Sequence, residues 1–147
     1  MEARETPSNQ LGGLRRKDYK RMSLKTILCV DDSPTQLRVL TEALSGRGYK
    51  IVTATDGEEA LQKIAETSPD LVLLDVVLPK KNGFQICRQI KTTGQTKGIK
   101  VVLVSSKDQA SDRFWGMKQG ADDYITKPFD PETLAAQVDR QLSWEGV

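Results

Sequence analysis

The chain contains no histidine among its 147 residues, and this absence removes several kinds of chemistry at once. Serine–histidine and cysteine–histidine catalysis are excluded, as is zinc bound by histidine. A phosphohistidine cannot form within this chain, so any histidine in a phosphoryl-transfer pathway belongs to a partner. Cysteine is scarce as well. Cys29 and Cys87 form no C-x-x-C motif, and we expect both to be buried thiols of a protein in a reducing compartment.

The sequence also lacks an apolar stretch long enough to cross a membrane, and it has no signal peptide at its N-terminus. We therefore expect a cytoplasmic protein with no membrane span. The formal net charge is only +2, which gives no argument for binding to nucleic acid. Too few residues follow the last predicted helix to form a recognition module, so no DNA-binding domain is expected.

The excess positive charge belongs to the first part of the chain. Residues 1–23 hold six basic and three acidic residues, whereas the remainder holds 16 basic and 17 acidic residues. This segment has little apolar periodicity, so we predict a flexible basic N-terminal arm there and a single domain over residues 24–147. The basic run from Arg15 to Lys17 is either simply solvated or a contact for an acidic lipid, a nucleic acid or a protein.

Five short apolar runs, separated by helical patterns, follow the arm. Such runs, alternating with helices, are typical of a parallel α/β sheet. The predicted strands are residues 27–30, 51–54, 71–74, 101–104 and 124–126. The predicted helices begin at Ser33-Pro34, Asp56, Asn82-Gly83, Asp108 and Asp130-Pro131. Right-handed crossovers then give a doubly wound sheet with helices on both faces.

The fourth predicted helix, at about residues 108–118, has an apolar stripe at helical spacing. We predict that this stripe faces the core; its members are Ala110, Phe114, Met117 and Ala121. Trp115 lies one position off the stripe. Its ring either folds over the edge of a neighbouring helix or stays exposed as an aromatic anchor for a partner.

Polar residues follow four of the five predicted strands. Asp31 and Asp32 come after the first strand and Asp75 after the third. Ser105 comes after the fourth strand and Lys127 after the fifth. In sheets of this kind, ligands bind in the crevice beyond the carboxyl ends of the strands. We therefore expect three carboxylates, a hydroxyl and an ammonium to converge on one crevice.

Three neighbouring carboxylates repel one another. At an effective dielectric constant of about 20, a pair roughly 4 Å apart costs about 4 kcal/mol. The site must therefore raise a pKa or bind a cation, and oxygen ligands suit Mg²⁺. Asp75, alone at the end of the central strand, is the candidate nucleophile toward phosphorus, with Asp31 and Asp32 holding the metal directly or through water. Lys127 and Ser105 could then contact a phosphoryl group. The alternative is that the acidic pair after the first strand only caps a helix.

Four motifs stand at these strand ends: Val30-Asp31-Asp32-Ser33, Leu74-Asp75-Val76 with Leu78-Pro79-Lys80-Lys81-Asn82-Gly83, Val104-Ser105-Ser106, and Tyr124-Ile125-Thr126-Lys127-Pro128-Phe129. With them, residues 25–142 closely resemble the receiver domain of bacterial response regulators, the CheY-like family. The resemblance implies a flavodoxin-like (βα)₅ sandwich with strand order 2-1-3-4-5. It implies that Asp75 accepts a phosphoryl group from a sensor histidine kinase. It also implies that Asp32, Asp75 and the backbone carbonyl of Val77 bind Mg²⁺, with Asp31 acting through water.

The same resemblance assigns the switch. Ser105 fills the hydroxyl position, Tyr124 fills the aromatic position, and Lys127 contacts the phosphoryl group. The peptide bond between Lys127 and Pro128 is expected to be cis. Phosphorylation would alter the face formed by the fourth helix, fifth strand and fifth helix, where Trp115 and Tyr124 would meet a downstream protein target. Such a domain is a monomer or a phosphorylation-dependent dimer. It catalyses only its own phosphoryl transfer and dephosphorylation.

Residues 106–109, 115–121 and 126–128 look most like the single-domain regulators of type IV pilus twitching motility, and related receivers serve chemosensory-like signalling. Two other functions stay open: a phosphatase or phosphotransferase with an aspartate nucleophile, and a constitutive docking module. The first is disfavoured because Val77 stands where such enzymes place a proton-transferring carboxylate. Val77 and Lys107 also flank the path of an attacking water, which leaves the phosphoryl lifetime open.

Overall fold

The computed structural model describes residues 24–143 and alternates strictly between strand and helix. The strands are β1 (Thr26–Val30), β2 (Lys50–Ala54), β3 (Leu71–Leu74), β4 (Lys100–Ser105) and β5 (Asp123–Thr126). The helices are α1 (Pro34–Leu44), α2 (Gly57–Thr67), α3 (Gly83–Thr92), α4 (Ala110–Lys118) and α5 (Pro131–Gln141). The basic arm predicted at residues 1–23 lies outside the described residues.

All five strands are parallel and lie in the order β2-β1-β3-β4-β5, which confirms the predicted fold class and strand order. All four residues of the central strand β3 are buried, because helices cover both faces of the sheet. The strands run in register, with Val30 beside Leu74 and Leu74 beside Leu103. Their carboxyl ends therefore open on the same edge.

Two hydrophobic clusters form the core, one on each face of the sheet, because successive residues of a strand point to opposite faces. Leu28 and Val30 belong to one cluster, whereas Ile27 and Cys29 belong to the other. Cys87 lies in the first cluster, away from Cys29, and both thiols are free. Both cysteines are buried, as predicted, and burial raises the pKa of each thiol to about 12.

Four of the five helices begin at the polar cap that the sequence predicts, whereas α4 begins after Gln109, one residue beyond the predicted Asp108. The Ser33 hydroxyl accepts a hydrogen bond from the Gln36 N–H (3.2 Å), which caps α1, and Asp56 and Asp130 cap α2 and α5 in the same way. Because Ser33 itself caps α1, Asp31 and Asp32 are not needed as caps. Within the described part of the chain, no helix is both long and apolar enough to cross a membrane.

The prediction for the inner face of helix α4 is wrong. Phe114 and Met117, expected to face the core, are 64% and 45% exposed, and Ala110 is exposed as well; only Ala121 of that stripe is buried. The buried residue of α4 is Gly116. A Cβ at Gly116 would lie 2.7 Å from Leu103 Cδ1, so the helix packs too closely on the sheet for a large side chain there.

Candidate functional site

Backbone pairing continues beyond the ends of the strands and fixes the residues that follow them. The Asp75 N–H donates to the Val30 carbonyl (3.0 Å), and the Asp31 N–H donates to the Ala54 carbonyl (3.1 Å). The Lys127 N–H likewise donates to the Ser105 carbonyl (2.8 Å). The sheet thus holds the backbone of the residues that follow β1, β3 and β5, and Ser105 is itself the last residue of β4.

The three predicted carboxylates lie together at this edge. Asp31, Asp32 and Asp75 each offer an oxygen atom, and these atoms all lie within 4.8 Å of one another. Asp31 is 1% exposed and Asp75 is 8% exposed, whereas Asp32 is open to solvent. Asp31 Oδ1 also accepts a hydrogen bond from the Ser33 N–H (2.9 Å), which fixes the orientation of this buried carboxylate.

Lys127 is the cation of the cluster. Its Nζ lies 2.7 Å from Asp31 Oδ2 and 3.3 Å from Asp75 Oδ2, and its side chain is only 15% exposed. Burial by itself would lower the pKa of the Lys127 ammonium. The hydrogen bond to Asp31 and the negative charges of Asp75 and Asp31 outweigh that effect and raise the pKa above its usual value. The ammonium is therefore firmly protonated and bridges the two buried carboxylates.

The charged form of Asp75 is disfavoured in the folded protein. Burial raises the pKa of its carboxyl group, although the Lys127 ammonium opposes the shift, and the charge of Asp31 adds to it. Among residues 24–143, one donor besides Lys127 contacts this carboxylate: the Val77 N–H donates to Asp75 Oδ1 (3.3 Å). Additional positive charge at this edge would therefore stabilise the ionised form of Asp75.

The oxygen atoms of this cluster are suitable ligands for a magnesium ion. Three carboxylates against one ammonium leave the cluster with excess negative charge, and all of its acceptor atoms are oxygen, the ligand type that Mg²⁺ prefers. Asp32 is exposed and has no ion pair among the described residues. The Val77 peptide lies beside the cluster, since its N–H contacts Asp75. Asp31, Asp32, Asp75 and the Val77 carbonyl are thus the residues that could hold the ion.

Two close backbone contacts of Gly83, near the site, were not predicted. A Cβ at Gly83, the first residue of α3, would overlap the Asp75 carbonyl oxygen and also lie 2.8 Å from Val76 Cα. The Gly83 N–H donates to the Val76 carbonyl (2.8 Å), which ties the start of α3 to the segment after β3. The Asn-Gly pair marks a turn in the sequence, but the closeness of the two backbones appears only in three dimensions.

Ser105 and Tyr124 are linked through one residue between them. The Lys107 N–H donates to Ser105 Oγ (3.2 Å), and the Tyr124 hydroxyl donates to the Lys107 carbonyl (2.7 Å). Ser105 is fully buried. Burial also raises the pKa of the Tyr124 phenol. The predicted hydroxyl and aromatic switch positions therefore belong to one hydrogen-bonded chain.

The two residues predicted for a partner surface are placed differently. Trp115 is 51% exposed, whereas Tyr124 is 2% exposed, so in this conformation Tyr124 is not part of the surface. Its ring is buried because it lies between β4 and the inner face of α4. Phe114 and Met117 are exposed on the same helix as Trp115. The outer face of α4 is accordingly more apolar than the sequence predicts. The peptide bond between Lys127 and Pro128 is cis, as the family resemblance implies.

Comparison with known proteins shows the family to which the chain is similar. The family "Response regulator receiver domain" matches residues 27–139. Protein PilH of Pseudomonas aeruginosa is 43% identical over 117 residues, which cover 80% of this chain and 97% of PilH. The alkaline phosphatase synthesis transcriptional regulatory protein PhoP of Bacillus subtilis is 42% identical over 114 residues, which cover 78% of this chain and 47% of PhoP. The chain thus spans about half of that relative.

Solved structures show the same fold. A putative response regulator from Chloroflexus aurantiacus J-10-fl has a TM-score of 0.79 and 34% identity, with 83% of this chain and all of that chain covered. The chemotaxis response regulator CheY4 of Vibrio cholerae has a TM-score of 0.76 and 29% identity, with 81% of this chain and 99% of that chain covered.

Proposed function

The chain belongs to the response regulator receiver domain family, and from that premise we propose that it is a single-domain switch controlled by phosphorylation of Asp75. A sensor histidine kinase supplies the phosphoryl group, and a downstream protein responds to it. One observation carries the proposal: a buried ammonium, Lys127, bridges Asp31 and Asp75 at a strand edge that also holds Asp32.

The transfer step uses groups already in place. A carboxylate oxygen of Asp75 attacks the phosphorus of the kinase's phosphohistidine, the P–N bond breaks, and the imidazole nitrogen keeps the electron pair. The product on this chain is an acyl phosphate. Lys127, 3.3 Å from Asp75 Oδ2, can then contact a phosphoryl oxygen while keeping its bond to Asp31. Because the imidazole belongs to the kinase, this scheme agrees with the absence of histidine from the chain.

Mg²⁺ is the proposed cofactor. Asp31, Asp32, Asp75 and the Val77 carbonyl would hold it, with Asp31 acting through water. When bound, the ion would neutralise charge on the transferring phosphoryl oxygens. Asp32 supports this assignment because its carboxylate is exposed and lies within 4.8 Å of the other two, which gives an entering ion direct access.

A change at Asp75 would reach the surface through Ser105 and Tyr124. A phosphoryl group carries about −1.5 to −2 charges and attracts hydroxyl and ammonium donors. Ser105 Oγ is bonded to the Lys107 N–H, and Lys107 is bonded to Tyr124, whose ring packs beneath α4. The outer face of α4, with exposed Phe114 and Trp115, is therefore the proposed contact for the downstream target.

The pathway is proposed from similarity. Twitching motility of type IV pili is favoured because the segments around α4 resemble regulators of that system and because the similarity to PilH covers 97% of that protein. We propose no turnover of other substrates, because Val77, two residues after the nucleophile, is apolar and cannot transfer a proton. The protein would act in the cytoplasm, as a monomer or a phosphorylation-dependent dimer.

The test is intact-mass spectrometry after incubation with acetyl phosphate and Mg²⁺. We expect a single phosphoryl adduct that disappears in Asp75→Asn and when a chelator removes the metal. The matched control is Glu66→Gln, which removes an exposed carboxylate at the carboxyl end of α2, the end that leads away from the site edge. This variant should form the adduct like the wild type. An adduct that persists in Asp75→Asn, or forms equally well under chelation, would contradict the assignment.

A further inference from the structure

Helix α4 approaches the sheet through a residue that has no side chain. A Cβ at Gly116 would lie 2.7 Å from Leu103 Cδ1 and 3.1 Å from Tyr124 Cδ2. The Leu103 methyl group is the end of a flexible side chain and can move aside. The Tyr124 ring is rigid, so the notch that Gly116 leaves in α4 is filled by this ring.

Arg113 holds the same ring from one turn earlier on the helix. Its Nη1 donates a hydrogen bond to the Tyr124 carbonyl oxygen (3.0 Å), and its Cζ lies 5.3 Å from the centroid of the Tyr124 ring. At this distance a guanidinium over a ring face is attracted by the π electrons. Residues three apart on a helix share a face, so Arg113 and Gly116 act on Tyr124 together.

These contacts position Tyr124 from the side of α4. The hydroxyl end of the ring is bonded to the Lys107 carbonyl, in the loop that leads into the helix (2.7 Å). The ring is thus held at its face, its edge and its hydroxyl by residues 107–116. Asp75 and Lys127, the groups proposed to meet the phosphoryl group, make none of these contacts.

We propose that Gly116 and Arg113 form a latch that holds the Tyr124 ring inward, so that α4 itself, besides the link through Lys107 to Ser105, sets the position of the ring. Because Phe114, Trp115 and Met117 are exposed on the same helix, the latch also fixes how that apolar face is presented. Gly116 and Arg113 are positioning residues, not catalytic ones. The proposal rests on the proposed function only in assigning Tyr124 to the switch.

The test is ¹⁹F NMR of protein labelled with 3-fluorotyrosine. The chain has three tyrosines, and Tyr124→Phe identifies the resonance of interest. In the wild type we expect a small solvent isotope shift for Tyr124, since the ring is buried. Gly116→Ala should release the ring and move this shift toward the value of the unfolded chain. Arg113→Gln, which removes both the hydrogen bond and the cation, should move it in the same direction.

The matched control is Gly94→Ala, because a Cβ at Gly94 meets nothing within 4 Å. It should leave the Tyr124 resonance unchanged. Should Gly116→Ala fail to fold by circular dichroism, Arg113→Gln decides the question. The latch is wrong if Tyr124 stays protected in the folded variants.

Mass spectrometry of the same samples with acetyl phosphate separates the two proposals. A normal adduct in the wild type with a protected ring in both variants overturns the latch and leaves the proposed function intact. If the ring is released in both variants but the wild type forms no adduct, the latch is supported and the proposed function is overturned.

Discussion

Replacing Lys127 by methionine would remove the ammonium from the acidic cluster while keeping an unbranched apolar stem in its place. The two carboxylates that Lys127 bridges, Asp31 and Asp75, have side chains only 2% and 11% exposed, so water cannot take over the role of the cation. Asp32 lies close enough to add its own repulsion. The variant therefore has three neighbouring carboxylates, two of them buried, without their cation.

The size of the effect follows from the short distances. At an effective dielectric constant of about 20, the contacts at 2.7 Å and 3.3 Å are each worth about 5–6 kcal/mol of Coulomb attraction before desolvation. Removing one partner of a buried ion pair typically costs about 3–5 kcal/mol. We expect Lys127→Met to lose about that much free energy of unfolding at neutral pH without metal.

The loss should depend on pH in a defined direction. Burial raises the pKa of Asp75 even with Lys127 present, and the ammonium opposes that rise, so the variant raises this pKa further. An acid with a raised pKa in the folded state destabilises the fold where it is ionised and stops doing so as it takes up a proton. The deficit of Lys127→Met should therefore shrink as the pH falls through the raised pKa of Asp75.

Urea unfolding with and without Mg²⁺ measures these quantities. A divalent ion replaces the lost charge, so Mg²⁺ should stabilise Lys127→Met more than the wild type; at a concentration of about 100 Kd, binding contributes about 2.7 kcal/mol. Lys91→Met is the matched control, because Lys91 forms an equally short ion pair with Asp122 (2.7 Å) outside the acidic cluster. It should be destabilised without rescue by Mg²⁺. Equal rescue of both variants, or a loss below about 1 kcal/mol in Lys127→Met, would refute the reasoning.

Two further changes test the site from other directions. Asp75→Asn should raise the free energy of unfolding in metal-free buffer, because burial raises the pKa of Asp75 and its ionised form therefore destabilises the fold. Thermal melts with a chelator measure this change, and a lower melting temperature for the variant would show that the attraction to Lys127 dominates. Gly83→Ala should destabilise by more than about 2 kcal/mol, since its Cβ overlaps the Asp75 backbone. Gly98→Ala, with open space around its Cβ, should change stability by less than about 0.5 kcal/mol in the same urea titration. Similar losses in the two alanine variants would count against the close approach at Gly83.

The strands and the acidic cluster could be predicted because they depend on residue type and order. Short apolar runs between helical patterns determine a parallel sheet, and a parallel sheet brings the residues after its strands to one edge. Asp31, Asp75 and Lys127 follow three different strands, and the ion pairs between them are the consequence.

The inner face of α4 could not be predicted in the same way. Apolar periodicity assigns Phe114 and Met117 to the core, because large apolar side chains usually lie there. The structure instead buries Gly116, which carries no hydrophobic signal, and exposes both large side chains. The reason is the Tyr124 ring, which already fills the space beneath the helix. The apolar pattern of one helix gives no information about the space that a side chain of a neighbouring strand occupies.

The connection between Ser105 and Tyr124 is harder to predict from the sequence, because it passes through the backbone of a single residue, Lys107. The N–H of Lys107 donates to the Ser105 hydroxyl, and the carbonyl of the same residue accepts from Tyr124. Every residue except proline has both groups, so the identity of the side chain at position 107 does not indicate this role. Since both bonds belong to one loop residue, a Ser105 that turns toward a phosphoryl group would move the loop and the Tyr124 hydroxyl together. The sheet, whose register fixes Asp75 and Lys127, need not deform for that movement to reach α4.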